Sequence, residues 1–248
     1  MSKPIFEINI NNLKVLYDEV LALEIKDFNI SGNTIAVIGH NGSGKSTLIK
    51  TILELLVPSE GAIELSIVEE SKKTRLIPNL HMAYSPESGA VFGDVSIEEY
   101  LQLWSSLKHN SRNYYRKKYA ELLEVLEIEP LRKKLGRELS KGQKRRVQTL
   151  VGFICEPKLF LLDEPFDGLD ISQTNLLINL ITKKSEEMAF VISSHRMEVV
   201  EKLADKLIVL DRGKITHAAS VSEVIERISA RECSLIDAMN IYLQQKTY

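Results

Sequence analysis

The chain has 248 residues, 44% hydrophobic and 27% charged, with a formal net charge of −2. That is enough for one large domain or two small ones with a real core, and it excludes a disordered chain or one drawn globally to nucleic acid or an anionic membrane. Its two cysteines, Cys155 and Cys233, form neither a disulfide framework nor a metal pattern and read as small apolar residues of a reduced cytosolic protein.

Alternating residues over 5–10 and 20–30 predict antiparallel strands. Thr-Ile-Ala-Val-Ile at 34–38 is a short apolar run ended by Gly39, the pattern of a buried parallel strand, and a helix follows from Lys45. A turn at Pro58 to Gly61 leads into a strand over 62–68, the polar stretch 69–79 reads as a loop, and 80–84 as a short strand. From Ser96 the period becomes helical. Ser96 with Glu99 has capping-box spacing, and Ile97, Tyr100, Leu101, Trp104 and Leu107 share one face. Tyr119, Leu122, Leu123 and Leu126 mark a second helix. Ser140 with Gln143 opens a third, with Val147, Leu150, Val151 and Ile154 on its apolar face.

Strands then alternate with helices: strand 158–163, helix 171–186, strand 188–193, helix 196–203, and strands 207–210 and 215–218. Such alternation implies a largely parallel sheet. The fold class read here is α/β: residues 1–86 and 156–218 form the core, with an N-terminal antiparallel part, 87–155 an inserted helical subdomain, and 219–248 two closing helices. No apolar run approaches the roughly 18 residues that span a bilayer. The N-terminus lacks the apolar stretch of a signal peptide, so a membrane role requires a partner. No internal repeat or low-complexity segment is present.

Gly39-His40-Asn41-Gly42-Ser43-Gly44-Lys45-Ser46 fits G-x-x-x-x-G-K-[ST] between a strand and a helix. In that setting glycines let backbone N–H groups converge on phosphate, the helix N-terminus adds its dipole, the lysine reaches the β- and γ-phosphates and the serine ligates Mg²⁺. Without phosphate chemistry the stretch would be only a Gly-rich turn. The strand Leu159 to Leu162 ends in Asp163-Glu164. Beside a phosphate loop, Asp163 suits the metal and Glu164 suits a water attacking the γ-phosphate; without one, both acids would merely solvate a strand end. At 139–146, Leu-Ser-Lys-Gly-Gln-Lys-Arg-Arg crowds Lys141, Lys144, Arg145 and Arg146 onto a helix start that is already positive, which suits an anion.

The phosphate loop, Leu-Ser-Lys-Gly-Gln at 139–143 and Asp-Glu-Pro at 163–165, in that order, resemble the Walker A, signature and Walker B motifs of ATP-binding cassette (ABC) ATPases over about 5–218. The resemblance implies a P-loop NTPase core and Mg²⁺-dependent ATP hydrolysis. It also implies a head-to-tail dimer, of identical or different cassettes, in which Ser140, Gly142 and Gln143 face ATP held by the partner's residues 39–47, Thr47 included. It further implies that His195 contacts the γ-phosphate, that Asp167-Gly168-Leu169-Asp170 crosses the interface, and that an aromatic near the start stacks on adenine; Tyr17 fits, with Phe6 competing. Ser140 could equally be a plain cap, and Asp170 a cap of the following helix.

Two positions depart from the pattern. Glu87 stands where the family usually has Gln; it could still ligate Mg²⁺ but cannot donate an amide hydrogen bond. Lys141 stands at the second signature glycine. Both resemble cassettes that serve exporters. The implied partner is a separate transmembrane permease, docked near Glu87 to Phe92 with Val91 and Phe92 exposed, and the implied location is the cytoplasmic face of the membrane, with no nucleic acid partner. The alternatives are a soluble ABC ATPase of cofactor assembly or of the ribosome, or a nucleotide-regulated scaffold without turnover.

Overall fold

Apolar alternation over the first thirty residues builds a hairpin-rich sheet rather than two long strands. In the computed structural model, which describes residues 3–69 and 72–223, β1 (Ile5–Tyr17) pairs antiparallel with β2 (Val20–Ile25), β3 (Phe28–Gly32) and β5 (Glu60–Glu69). The expected strand over 20–30 is thus broken at Lys26-Asp27. The stretch read as a polar loop contains β6 (Lys72–Arg75), antiparallel to β5, and the start of a short helix α2 (Pro78–His81), which takes the first two residues of the strand expected at 80–84. Lys72, Lys73 and Arg75 are charged residues of the kind that protect an edge strand, so the polarity of the stretch hid a strand.

The described residues fall into two compact units, 3–69 and 72–75 with 191–223, and 76–190. In the first, β4 (Thr34–Ile38) is buried at every position and pairs in parallel with β10 (Lys206–Asp211), which pairs antiparallel with β11 (Lys214–Ser220). Helix α1 (Lys45–Ile52) follows β4, and α8 (Met197–Leu203) precedes β10. Phe6, Ile8, Leu13, Ile35, Val37 and Leu48 are fully buried in this unit, each stabilising it by about 1.5–3 kcal/mol relative to exposure.

In the second unit β7 (Met82–Ser85) runs parallel to β8 (Leu159–Asp163). Around them lie α3 (Ile97–His109), α4 (Tyr114–Lys118), α5 (Ala120–Val125), α6 (Lys141–Ile154) and α7 (Ile171–Lys184). The two capping boxes form as their spacing predicts: Ser96 and Ser140 accept from the amides of Glu99 and Gln143, whose side chains bond back. The second predicted helix is α5, with Tyr119, Leu122, Leu123 and Leu126 all buried, and the separate short helix α4 precedes it. On α3, Ile97, Tyr100 and Leu101 are buried, but Leu107 is 65% exposed: periodicity finds a face without saying whether anything covers all of it. On α6, Val147, Leu150, Val151 and Ile154 are all buried. The strand after α7, β9 (Ala189–Ser193), is buried throughout. The C-terminal helices expected at 220–229 and 234–244, and Cys233, lie outside the described residues, apart from the first few positions.

Gly152 fixes the packing of α6. Phe153 meets the Phe160 ring edge-on at 5.1 Å, and a Cβ on Gly152 would lie 2.0 Å from Phe160 Cζ. Because Phe160 is fully buried, the ring cannot swing aside. Gly152→Val is expected to cost at least about 2 kcal/mol, read as a lower urea midpoint at unchanged slope; an unchanged midpoint would show that the helix can shift.

Candidate functional site

Residues 39–47 connect β4 to α1, and three glycines shape that turn. A Cβ on Gly39 would meet Leu210 O at 2.3 Å; Gly42 has φ 80 and faces open space; Gly44 has φ 107, and its Cβ would sit 2.7 Å from Leu23 Cδ2. Gly39 is therefore dictated by close approach and Gly42 by conformation alone. Ser43 N donates to His40 O at 3.0 Å, and Gly213 N donates to Ser43 O at 2.9 Å. Gly213, legible in sequence only as part of a turn, thus props the loop from the β10–β11 hairpin.

This turn has the chemistry of an anion cradle. Helix α1 has no side-chain cap and no acid in its first turn, so its first amides and its dipole stay available. Lys45 is buried, with Nζ donating to Gly39 O (2.9 Å) and His40 O (3.3 Å). Ser43 Oγ is buried and, among the described residues, has no hydrogen-bond partner, a cost that a ligand oxygen would relieve. His40, Asn41 and Gly42 are exposed, and Ser46 and Thr47 half-buried. These residues fit a phosphate chain.

In the same unit, Tyr17 pairs with Val20 at the turn end of the β1–β2 hairpin and is 44% exposed, whereas Phe6 is fully buried. Burial removes Phe6 from the competition for a ligand-stacking role. β2 is also the strand whose Leu23 touches Gly44. Ser194 N donates to Val37 O at 3.2 Å, which brings the residues after β9 alongside β4; His195, next in sequence, is exposed.

In the second unit, five buried residues of β8 end in Asp163, which accepts a 3.4 Å hydrogen bond from Tyr84 Oη on β7. Glu164 is 7% exposed and sits at φ 47, a conformation costly for a residue other than glycine and held only where the surroundings impose it. Asp167 N closes the turn onto Glu164 O at 3.2 Å. Asp170 caps α7, accepting from Gln173 N at 2.8 Å.

The start of α6 lies in this unit too. Ser140 is exposed, and Gly142 and Gln143 are half-buried. Three of the four basic residues there are engaged by the protein itself. Lys141 Nζ reaches Glu87 Oε1 at 3.0 Å, Arg146 pairs with Glu127, and the Arg145 guanidinium donates to Glu87 O and Asp167 O. Two of the four cations are thus paired with carboxylates and a third is held by carbonyls, so part of the excess is matched inside the unit, and the N-terminal amides of α6 with the Ser140 hydroxyl remain the groups best suited to an anion. Metal binding by Glu87 would compete with Lys141. The exposed Phe92 packs edge-on against Tyr100 at 5.3 Å, and Val91 is half-buried. Burial pushes the Cys155 thiol above its ordinary range, so it is protonated at neutral pH and not a nucleophile. Among the described residues no helix is long and apolar enough to cross a membrane.

Comparison with known proteins gives a consistent result. Residues 26–167 match the family model described as ABC transporter. The chain is 32% identical to ABC transporter G family member 23 of Dictyostelium discoideum over 93% of its own length, and spans 32% of that protein. It is 29% identical to the ABC-type transporter ATP-binding protein EcsA of Bacillus subtilis, over 96% of this chain and 95% of EcsA. Among solved structures it resembles the ATP-binding subunit of an ABC transporter, with a TM-score of 0.77 and 26% identity over 94% of this chain and 97% of that one.

Proposed function

The chain belongs to the ABC transporter family, and from that premise we propose that it is an ATP-hydrolysing subunit that closes with a second cassette around ATP and drives a separate transmembrane permease. The observation that carries the reading is the cradle at residues 39–47, with α1 uncapped, Lys45 buried and the Ser43 hydroxyl unsatisfied. EcsA, which this chain matches nearly end to end, is an ATP-binding protein of a transporter by name; this supports a cassette that works beside a separate membrane protein.

On this reading the amides of residues 39–47 hold the phosphates, Lys45 supplies a point charge, and Tyr17 stacks on adenine. Ser46 and Asp163, with Glu87 if it leaves Lys141, would hold Mg²⁺, which when bound neutralises phosphate charge. Glu164 takes the proton of the attacking water, and its fixed backbone keeps the carboxylate aimed. His195 touches the γ-phosphate, and Ser140, Gly142 and Gln143 present a hydroxyl and backbone amides to ATP on the partner cassette. Glu87 and Lys141 favour an export role by their resemblance to exporter cassettes, and Phe92 suits an apolar permease segment. The subunit would then sit peripherally on the cytoplasmic face of the membrane.

The test is ATP binding by calorimetry together with phosphate release, by the chain alone and in the complex with any membrane protein that co-purifies with it. Release that needs Mg²⁺ and stops with EDTA is expected. ATP binding without release in either form would leave a nucleotide-regulated scaffold; turnover with no membrane partner would leave a soluble ATPase.

A further inference from the structure

Arg145 is only 2% exposed although it lies in the second turn of a helix whose Ser140 end is exposed. A buried guanidinium is costly unless its donors are satisfied. Here they are satisfied by backbone. Nε and Nη2 donate to Glu87 O at 3.3 and 2.9 Å, and Nη1 donates to Asp167 O. Two loops far apart in sequence thus hang on one planar fork, a geometry that lysine cannot reproduce. The first loop is a tight turn, with Gly89 N donating to Pro86 O at 3.2 Å. It lies flat on α6: Gly89 has φ 60, and a Cβ there would be 3.0 Å from Arg145 N and from Lys144 C and Cβ. Lys141, on the same helix, holds the Glu87 carboxylate at 3.0 Å. The second loop follows Glu164 and closes through Asp167 N to Glu164 O.

We infer that Arg145 is a positioning residue that makes the 86–89 turn, the start of α6 and the 164–169 turn move as one piece. Its bonds go to main-chain carbonyls, so it acts whatever side chains those loops carry. Each of the three segments bears a residue that the proposed reading uses, namely Glu87, Ser140 and Glu164. A displacement of any one is therefore transmitted to the other two. Only the turnover arm of the test rests on that reading.

Hydrogen exchange of the whole 248-residue, nucleotide-free chain tests the linkage directly. In Arg145→Lys and Arg145→Gln, amides of 87–90 and of 166–169 are expected to exchange together, about tenfold faster or more, as when a buried hydrogen-bonded group is lost. Amides of 39–47, in the other compact unit, should keep their protection. Should the arginine variants fail to fold, Gly89→Ala serves while leaving the Arg145 guanidinium in place. It lifts the first turn off α6, and protection at 166–169, on the remote loop, is expected to fall with it. In phosphate release, kcat should drop about tenfold or more while KM for ATP stays within about twofold. Unchanged exchange at 166–169 in all of these variants, in a chain whose wild type hydrolyses ATP, reduces Arg145 to a local packing residue and overturns the inference. Coupled loosening in a chain that hydrolyses no ATP upholds the linkage and counts against the ATPase reading instead.

Discussion

Glu164→Gln is expected to bind ATP as the parent does while turnover falls by about 10²–10⁴. The substitution is close to a single-variable experiment. Glutamine keeps the size of the side chain, and it meets the same backbone cost at φ 47 as glutamate, so the 164–169 turn has no new reason to relax. What is lost is basicity. A carboxylate at the end of β8, 7% exposed, can take a proton from water; an amide cannot. Calorimetry should give an unchanged ATP affinity and thermal unfolding an unchanged midpoint, so the loss is assigned to chemistry rather than to folding. With ATP present, the variant should also accumulate as a dimer in light scattering, because the closed state no longer decays through hydrolysis. Wild-type turnover in Glu164→Gln removes this residue from the mechanism and moves the search for a base to His195.

Much of this architecture was legible because its signals are local. Capping boxes at Ser96 and Ser140 need partners only three residues away, and the unbroken apolar runs of β4 and β8 announce strands buried on both faces. The phosphate loop is likewise local, since its glycines answer to backbone geometry within a few residues. What escaped depends on distant partners. β6 is an edge strand whose charges read as loop. Leu107 continues an apolar period that nothing among the described residues covers fully. The cations of α6 find Glu87, Glu127 and the carbonyl of Asp167, respectively 54, 19 and 22 residues away. Local counting could register their excess but not their destination. Tyr17 is favoured by its place in the sequence with Phe6 competing, and burial is what sets Phe6 aside.

Ser140→Arg, combined with Lys45→Ala, tests whether the start of α6 acts on a second cassette. Ser140 Oγ accepts from Gln143 N at 3.2 Å, and Gln143 Oε1 accepts from Ser140 N at 3.0 Å, so the residue is a helix cap in any case. If that is its whole role, the arginine variant loses about 1 kcal/mol of stability and keeps its activity per folded molecule. If the exposed hydroxyl faces a partner's γ-phosphate, a long cationic side chain obstructs closure and turnover collapses. ATP still binds, because residues 39–47 belong to the other compact unit. Lys45→Ala is expected to fail at the earlier step: it removes the charge that the loop buries and so weakens nucleotide binding and turnover together. Mixing the two variants gives dimers in which one composite site has both an intact cradle and an intact α6 end, while the other carries both lesions. Recovery of activity in the mixture, absent from either variant alone, is the expected result if one site suffices. Two sites that depend strictly on each other would block that recovery, so the deciding measurement is ATP-dependent cross-linking between the α6 end of one chain and the 39–47 loop of the other. Wild-type dimers should cross-link and Ser140→Arg dimers should not. Normal cross-linking with normal turnover in Ser140→Arg leaves the cap as the only role of this residue.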